Sequence, residues 1–170
     1  KGGKLGDIFA NNLMQRDAQG RVIIGDDGLP MAATGDGNLE QYLLDHPIGN
    51  IQPDLLMSIT PTFTYKGISL TAMFDMKFGG DIVSVSEGMA TSVGTSERTA
   101  YRGEYKTVNG VQDWYMVVPG VKADGSVNTQ EVSAQKYYST IGLYSSQKGY
   151  AEEFVHDASY IKLKELSLGY

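Results

Sequence analysis

The stretch LLMSITPTFTY, residues 55–65, is followed by Lys66-Gly67 and then by ISLTAMFDMKF, residues 68–78. In the first run Leu55, Met57, Ile59, Pro61, Phe63 and Tyr65 share one parity, and Leu56, Ser58, Thr60, Thr62 and Thr64 the other. In the second, Ile68, Leu70, Ala72, Phe74, Met76 and Phe78 alternate with Ser69, Thr71, Met73, Asp75 and Lys77. A period of two puts successive side chains on opposite faces of a strand. Two such runs around a Lys-Gly pair read as a β-hairpin. Each run matches the roughly 9–11 residues with which a tilted strand crosses a bilayer. One apolar and one hydroxyl-rich face at that length is the pattern of a transmembrane barrel hairpin. A strand of a soluble sandwich gives the same alternation over about 5–6 residues, and alternation alone favours that soluble reading.

Bulk properties narrow the classes. A chain of 170 residues suggests one domain. A mean hydropathy of −0.24 and the lack of any stretch of about 18 apolar residues exclude a membrane-spanning helix, though not a barrel. The net charge of −6 is a poor match to phosphate backbones, so no nucleic-acid partner is expected. With no cysteine there are no disulfides, thiolate metal sites or cysteine nucleophiles. No apolar leader follows Lys1. Lys164-Glu165-Leu166-Ser167-Leu168-Gly169-Tyr170 stops with a strand pattern still running, which predicts that the chain is a fragment of a longer one.

Working outward from the hairpin, residues 1–54 read as irregular. Turn clusters at Asp17–Gly20, Gly25–Pro30 and Gly35–Asn38 flank a short strand candidate, Arg21–Ile24. Asn38 fits the N-cap of a helix reaching Leu44, stopped by Pro47. Residues 55–85 form the hairpin, with a bend or bulge at Gly79-Gly80. Residues 86–156 are a long connection rich in Ser, Thr, Gly and Tyr. Within it Trp114–Val118 reads as a short strand, and Val132–Leu143 fits a helix or a strand equally. Residues 157–170 give a third long strand whose apolar parity switches from Ile161 and Leu163 to Leu166, Leu168 and Tyr170, as a bulge or a change of surroundings would cause.

Five segments carry a resemblance. HPIGNIQPD (46–54) is similar to an LGN-x-x-PD element, and FDMKFGGDIVS (74–84) to a D-x-R-x-GGDI strand end with Lys77 where Arg is usual. VVPGVKADGSVNT (117–129) resembles a PGV…DG…NT element. DASYIKLKELSLGY (157–170) resembles a DASY…LGY strand, and DAQGRVIIGDDGLP (17–30) a dGrivvd…dG-P loop. In this order they resemble SusC/RagA-like TonB-dependent outer-membrane transporters, near the C-terminal end of the barrel. The resemblance implies an all-β fold: a fragment of a large antiparallel transmembrane β-barrel with long extracellular loops. Residues 1–54 and 86–156 would be extracellular, and 55–85 and 157–170 membrane-spanning. It also implies import of oligosaccharides or peptides across the outer membrane, with a SusD-like surface lipoprotein as lid and the TonB system as energy source, both engaged through parts missing from this chain. Such transporters are several times longer, and their plug is not here.

Side-chain chemistry adds little to this. His156-Asp157 with Ser159 invites a hydrolase reading, but neighbours on a strand point to opposite faces and form no relay. Asp26, Asp27, Asp36 and Asn38 offer oxygens for calcium without the spacing of a calcium loop, and turn chemistry accounts for them more simply. No catalytic residue, metal or cofactor is expected. Of the many loop aromatics, Trp114 and Tyr115 are the candidate contacts to a ligand or partner. Asp75 and Lys77 fall on the polar parity of the second strand, where a barrel lumen tolerates charge. A soluble or secreted β-rich carbohydrate-binding domain is the alternative, followed by a secreted β-rich hydrolase.

Overall fold

The computed structural model describes residues 3–144 and 149–170. Strands hold 39% of residues and helices 21%, so the fold is β-rich and antiparallel rather than purely β; among the described residues no barrel closes. In chain order the elements are β1 (Asp7–Ile8), α1 (Leu39–Asp45), β2 (Gly49–Asn50), β3 (Leu55–Ile59), β4 (Thr62–Tyr65), β5 (Ile68–Phe78) and β6 (Asp81–Val83). There follow α2 (Val85–Ser92), β7 (Glu104–Val108), β8 (Val111–Val117), β9 (Glu131–Ser133), α3 (Ala134–Ile141), β10 (Val155–Asp157) and β11 (Tyr160–Gly169). The chain divides into two compact units. Lys1–Ile8, Gly49–Ile82 and His156–Tyr170 form the first, called here the strand unit; Phe9–Ile48 and Val83–Val155 form the second, the core unit.

In the strand unit β5 is the centre of a sheet, with β3 and β4 along one side and β11 along the other, all antiparallel. Lys66 and Gly67 both have positive φ, 49° and 87°. That is what a two-residue primed turn demands, because its twist matches that of the flanking strands. The first long run is interrupted at Thr60-Pro61, where proline has no N–H to give the ladder. The register is nevertheless unchanged across the gap: Ile59 pairs with Phe74, and Thr62 with Thr71. The parity switch of the last strand is a β-bulge between Leu163 and Glu165. Because of it Ile161 and Leu163 pair with Met76 and Phe74, while Leu166 and Leu168 pair with Ala72 and Leu70. All four therefore lie on one face, although the sequence places them on opposite parities. β1 and β2 form a small antiparallel pair, and β6 with β10 another two-stranded sheet.

The core unit shows that the irregular first segment and the long connection share one hydrophobic core. Met14, Ile24 and Leu29 from the former pack with Met116, Val132 and Ile141 from the latter. The supposed connection is built around a second hairpin, β7–β8, extended by β9. Its turn, Asn109-Gly110, has φ of 51° and 80°, the same primed geometry as Lys66-Gly67. At its start Gly103 has φ 77°, and a Cβ there would collide with the Tyr115 carbonyl oxygen; glycine is required on both counts. Residues 132–143 resolve into a helix, α3, preceded by β9. Ala134, Tyr138 and Ile141, spaced four and three apart, are its buried face. α1 starts where expected, with the Asn38 side chain accepting from the Gln41 N–H at 3.2 Å, and ends at Asp45 before Pro47. α2 is capped by Ser84, whose Oγ accepts from the Glu87 N–H at 3.3 Å. Phe154, fully buried, carries the Arg98 guanidinium 4.9 Å over its ring. Arg98 also reaches Glu153 at 3.2 Å and Glu87 at 3.6 Å, tying three segments together. Arg21–Ile24, read as a strand, makes only isolated bridges, including a parallel one from Ile23 to Val121.

Candidate functional site

The sheet of the strand unit has two chemically distinct faces. Residues paired directly across an antiparallel ladder point the same way. The pairs Leu55–Phe78, Met57–Met76, Ile59–Phe74, Phe63–Leu70 and Tyr65–Ile68 therefore put both runs of the hairpin on one side, joined by the four apolar residues of β11. This face is open: Phe63 is 68% exposed and Leu168 75%. The opposite face carries most of the hydroxyls and charges, together with Leu56, Met73 and Tyr160. Thr62 and Thr71 hydroxyls meet at 3.0 Å, Asp75 pairs with Ser58 and with Lys162, and the Lys164 ammonium approaches the Asp75 carboxylate at 3.9 Å.

Three of the five resembling segments form a joint at one end of this sheet. Asp54 N–H donates to the Phe78 carbonyl at 2.9 Å, and Asn50 N–H to the Asp81 carboxylate at 2.9 Å. Ala158 N–H donates to the Gly80 carbonyl at 2.8 Å, and Gly79 N–H to Ser159 Oγ at 2.8 Å. The other two segments lock together in the core unit. Ile24 N–H donates to the Val121 carbonyl and Val121 N–H to the Val22 carbonyl, at 2.7 and 2.9 Å. Buried Asn128 closes the second loop, its amide donating to the Val118 carbonyl at 2.9 Å and accepting from the Gln130 N–H at 2.9 Å. The sequence elements behind the resemblance are thus joints that hold loops and strand ends.

The core unit contains a cleft of about 520 Å³, lined among others by Ser92, Arg102, Asp113, Trp114, Gln135 and Tyr138. Trp114 projects from β8 and is 41% exposed. Its ring is braced by Tyr105 on β7, 5.3 Å away and tilted by 52°; the two residues are register partners. Asp113 accepts from the Ser133 hydroxyl at 2.6 Å and from the Trp114 N–H at 2.7 Å. These bonds hold its carboxyl below the usual range, the serine contributing most. Arg102 Nε donates to the Thr99 carbonyl at 3.1 Å. Its terminal nitrogens, and the whole Gln135 amide, have no partner among the described residues. Tyr138 is buried, its hydroxyl donating to the Tyr101 carbonyl at 2.5 Å, and burial raises its pKa.

Of the two contacts expected from sequence, Trp114 is in this cleft and Tyr115 is not. Tyr115 is not among the residues that line it, and its hydroxyl donates to the Val111 carbonyl of its own strand at 3.5 Å. Asp157 accepts from Ser159 N–H and Oγ at 2.8 and 2.6 Å, a turn into β11 rather than a relay. Asp27 accepts from the Leu29 N–H at 3.1 Å and Asn38 caps α1, so two of the calcium candidates serve turns and caps. Among the described residues no acidic or histidine cluster is arranged to hold a metal ion. Sequence reading missed Arg102, Asp113 and Gln135, which come from three separate segments. The signal that would have placed Asp113 and Trp114 on a hairpin was Asn109-Gly110, the strongest short-range hairpin signature. Compared with known proteins, the chain matches no family model and no curated protein.

Proposed function

We propose that the strand unit is a piece of the wall of a SusC/RagA-like TonB-dependent transporter in the cell outer membrane. In this reading its apolar face meets lipid and its hydroxyl-rich face the lumen. Residues 86–156 lie outside the cell and Lys66-Gly67 is a periplasmic turn. The protein imports an oligosaccharide or peptide with a SusD-like lipoprotein and the TonB system, and this segment itself carries out no reaction. One observation carries the reading: every buried hydrophobic side chain of the described residues belongs to the core unit, while the long-stranded sheet buries none and gathers most of its large apolar residues on a single face, with Leu56, Met73 and Tyr160 on the other. A sheet meant for water hides such a face against a second layer; a sheet meant for lipid leaves it open. β5 has 11 residues and β11 has 10, close to the span of about 9–11 that a bilayer asks for. The five resembling segments add to this.

The second reading, a soluble or secreted β-rich carbohydrate-binding domain, is favoured by the Trp114 cleft, which needs no membrane. One experiment separates the two. An epitope placed within 122–126 of the full-length protein should be reached by antibody on intact cells, and one at Lys66-Gly67 only after the outer membrane is permeabilised. Recovery of the protein in the soluble fraction rejects the transporter, and reversed accessibility rejects its orientation.

A further inference from the structure

The structure assigns a modification site to the tip of the β7–β8 hairpin: Asn109 loses its side-chain amide to attack by the Gly110 main-chain nitrogen, and the turn is rebuilt around aspartate or isoaspartate. The inference goes beyond the transporter reading and does not rest on it. Asn109-Gly110 is the one Asn-Gly pair of the chain. The reaction needs an unengaged carboxamide, a following main-chain nitrogen with no other bond, and no side chain in the way. All three conditions meet here. Both residues are exposed, and neither the Asn109 amide nor the Gly110 N–H has a partner among the described residues. Nothing lies within 4 Å of where a Gly110 Cβ would be. Asn109 has φ 51°, a left-handed conformation that asparagine tolerates but does not favour. Bringing the nitrogen to the carboxamide turns the peptide plane out of that conformation. The cross-strand pair it disturbs is Val108–Val111, at the end of the hairpin, where local opening costs least.

The other asparagines are held or obstructed. The Asn38 side chain accepts from the Gln41 N–H at 3.2 Å, and Asn12 is bonded to the Tyr150 hydroxyl. The Asn50 amide donates to the Asp7 carboxylate at 2.7 Å and accepts from the Gln52 N–H at 2.8 Å. Asn128 is buried and bonded on both halves of its amide. Leu39, Leu13, Ile51 and Thr129 follow these four, and Asn12 follows Asn11, so each attacking nitrogen carries a side chain beside it. At Asn109 the Gly110 nitrogen gives up its proton and bonds to Cγ. The Cγ–Nδ2 bond breaks, ammonia leaves, and a cyclic imide remains. Water then opens the imide. Cleavage at the side-chain carbonyl gives aspartate, and cleavage at the main-chain carbonyl gives isoaspartate, whose chain runs on through Cβ and Cγ. The two products act differently on the hairpin. Asp-Gly suits a primed two-residue turn as Asn-Gly does, so aspartate adds a charge and keeps the fold. Isoaspartate adds a methylene to the main chain, and loop length is what sets a hairpin's register. Val108–Val111 then cannot close, and the Tyr105–Trp114 pair three steps beyond it loosens.

The full-length protein, kept folded in mildly alkaline buffer, is digested at intervals and followed by mass spectrometry, with protein isoaspartyl methyltransferase telling isoaspartate from aspartate. The peptide containing Asn109 should convert several-fold faster than those containing Asn38, Asn50 and Asn128. Both products should form, and the rate should rise with pH because the Gly110 nitrogen must lose its proton. Asn109→Gly keeps a sequence that primed turns accept and should show no conversion between residues 104 and 117. Hydrogen exchange over 104–115 should accelerate in the isoaspartate fraction and stay at the parent level in Asn109→Asp. An Asn109 amide that outlasts the others overturns the inference, as does conversion seen only after unfolding in urea. Equal exchange in the isoaspartate fraction and in Asn109→Asp overturns the loosening of the hairpin.

Discussion

The two units use their apolar residues in opposite ways. In the core unit Ile24, Ile141 and Phe154 are 2%, 1% and 0% exposed, and side chains from distant segments fill one interior. In the strand unit Leu70 and Phe78 of β5 and Leu163 and Leu168 of β11 are all exposed although these are the two longest strands among the described residues. Long strands and buried hydrophobic surface are therefore separate in this molecule. The core unit has the means to be stable in water, since burial drives its folding. The strand unit has ladder hydrogen bonds and an apolar face with nothing of its own to cover it.

The largest expected effect follows from that contrast. In water without detergent, the chain alone should self-associate through the strand unit, because an open apolar face flanked by unpaired strand edges is an aggregation surface. Detergent micelles, which cover such a face, should turn the aggregate into a monodisperse species. Sizing with and without detergent measures this. A detergent-free monomer with one sharp melting transition would break the comparison outright and promote the soluble binding domain.

A second experiment tests which solvent the apolar face meets. Met73 and Phe74 are neighbours near the middle of β5 but point to opposite faces, Met73 pairing with Glu165 and Phe74 with Leu163 and Ile59. In lipid, arginine at the midplane costs about 2–4 kcal/mol on the outward side, while the lumen side tolerates it. Phe74→Arg should therefore lower the amount of protein assembled in the outer membrane several-fold, and Met73→Arg should leave it nearly unchanged. Equal effects from both would remove the distinction between the faces.

How far the sequence reveals this arrangement depends on the range of the interactions that produce it. The hairpin, its turn and the common face of Phe63 and Phe74 are legible because period and a two-residue turn are local and together set the register. The Asn38 cap is legible for the same reason. The bulge in β11 is not: nothing in Leu163-Lys164-Glu165 says which residue is the extra one until β5 supplies partners. The core unit stayed hidden because its interior joins residues more than a hundred positions apart, such as Tyr150, whose hydroxyl donates to the Pro30 carbonyl at 3.0 Å. Two local signals were nevertheless present in the long connection. Asn109-Gly110 marks a hairpin, and Ser84-Val85-Ser86-Glu87 has the S-x-x-E spacing of a helix start, which α2 occupies. The cleft depends on long-range folding for all but Trp114, which aromatic content alone brought to attention.

Alkaline pH should sharpen the comparison further, because burial makes the core-unit phenols Tyr137, Tyr138 and Tyr150 resist ionisation, Tyr137 above all. Burial raises the Tyr137 pKa to about 12, with the charge of Glu153 adding to the effect, against about 10 in an unfolded chain. The folded state disfavours losing this proton, so the stability tied to it is complete below about pH 10 and disappears as pH rises to about 12. Melting of the core unit, followed through Trp114 fluorescence, should fall over that window. Tyr137→Phe, which cannot ionise, should flatten the decline; an unchanged profile in this variant would assign the loss to other groups.

The smallest expected effect asks whether the core unit is as well satisfied inside as its burial suggests, and it uses two threonines whose changes should have opposite signs. Thr91 and Thr99 are 0% and 2% exposed. Thr91 Oγ1 has no hydrogen-bond partner among the described residues, whereas Thr99 Oγ1 donates to the Ser96 carbonyl at 2.6 Å. Valine keeps the β-branch and nearly the volume of threonine and exchanges only the hydroxyl for a methyl. At position 91 the exchange removes a polar group that lost its water on folding and gained nothing, a penalty of about 1–3 kcal/mol in general. At position 99 it removes a hydrogen bond worth about 0.5–1.5 kcal/mol. Thr91→Val should therefore raise the melting temperature of the core unit and Thr99→Val lower it, each by a few degrees, as about 1 kcal/mol does in a domain of this size. Trp114 fluorescence reads the core unit and no other part of this chain, so the sheet's behaviour does not mask the result. If both substitutions destabilise, the Thr91 hydroxyl has a partner in solution, and the interior of the core unit contains a polar contact beyond those its side chains provide.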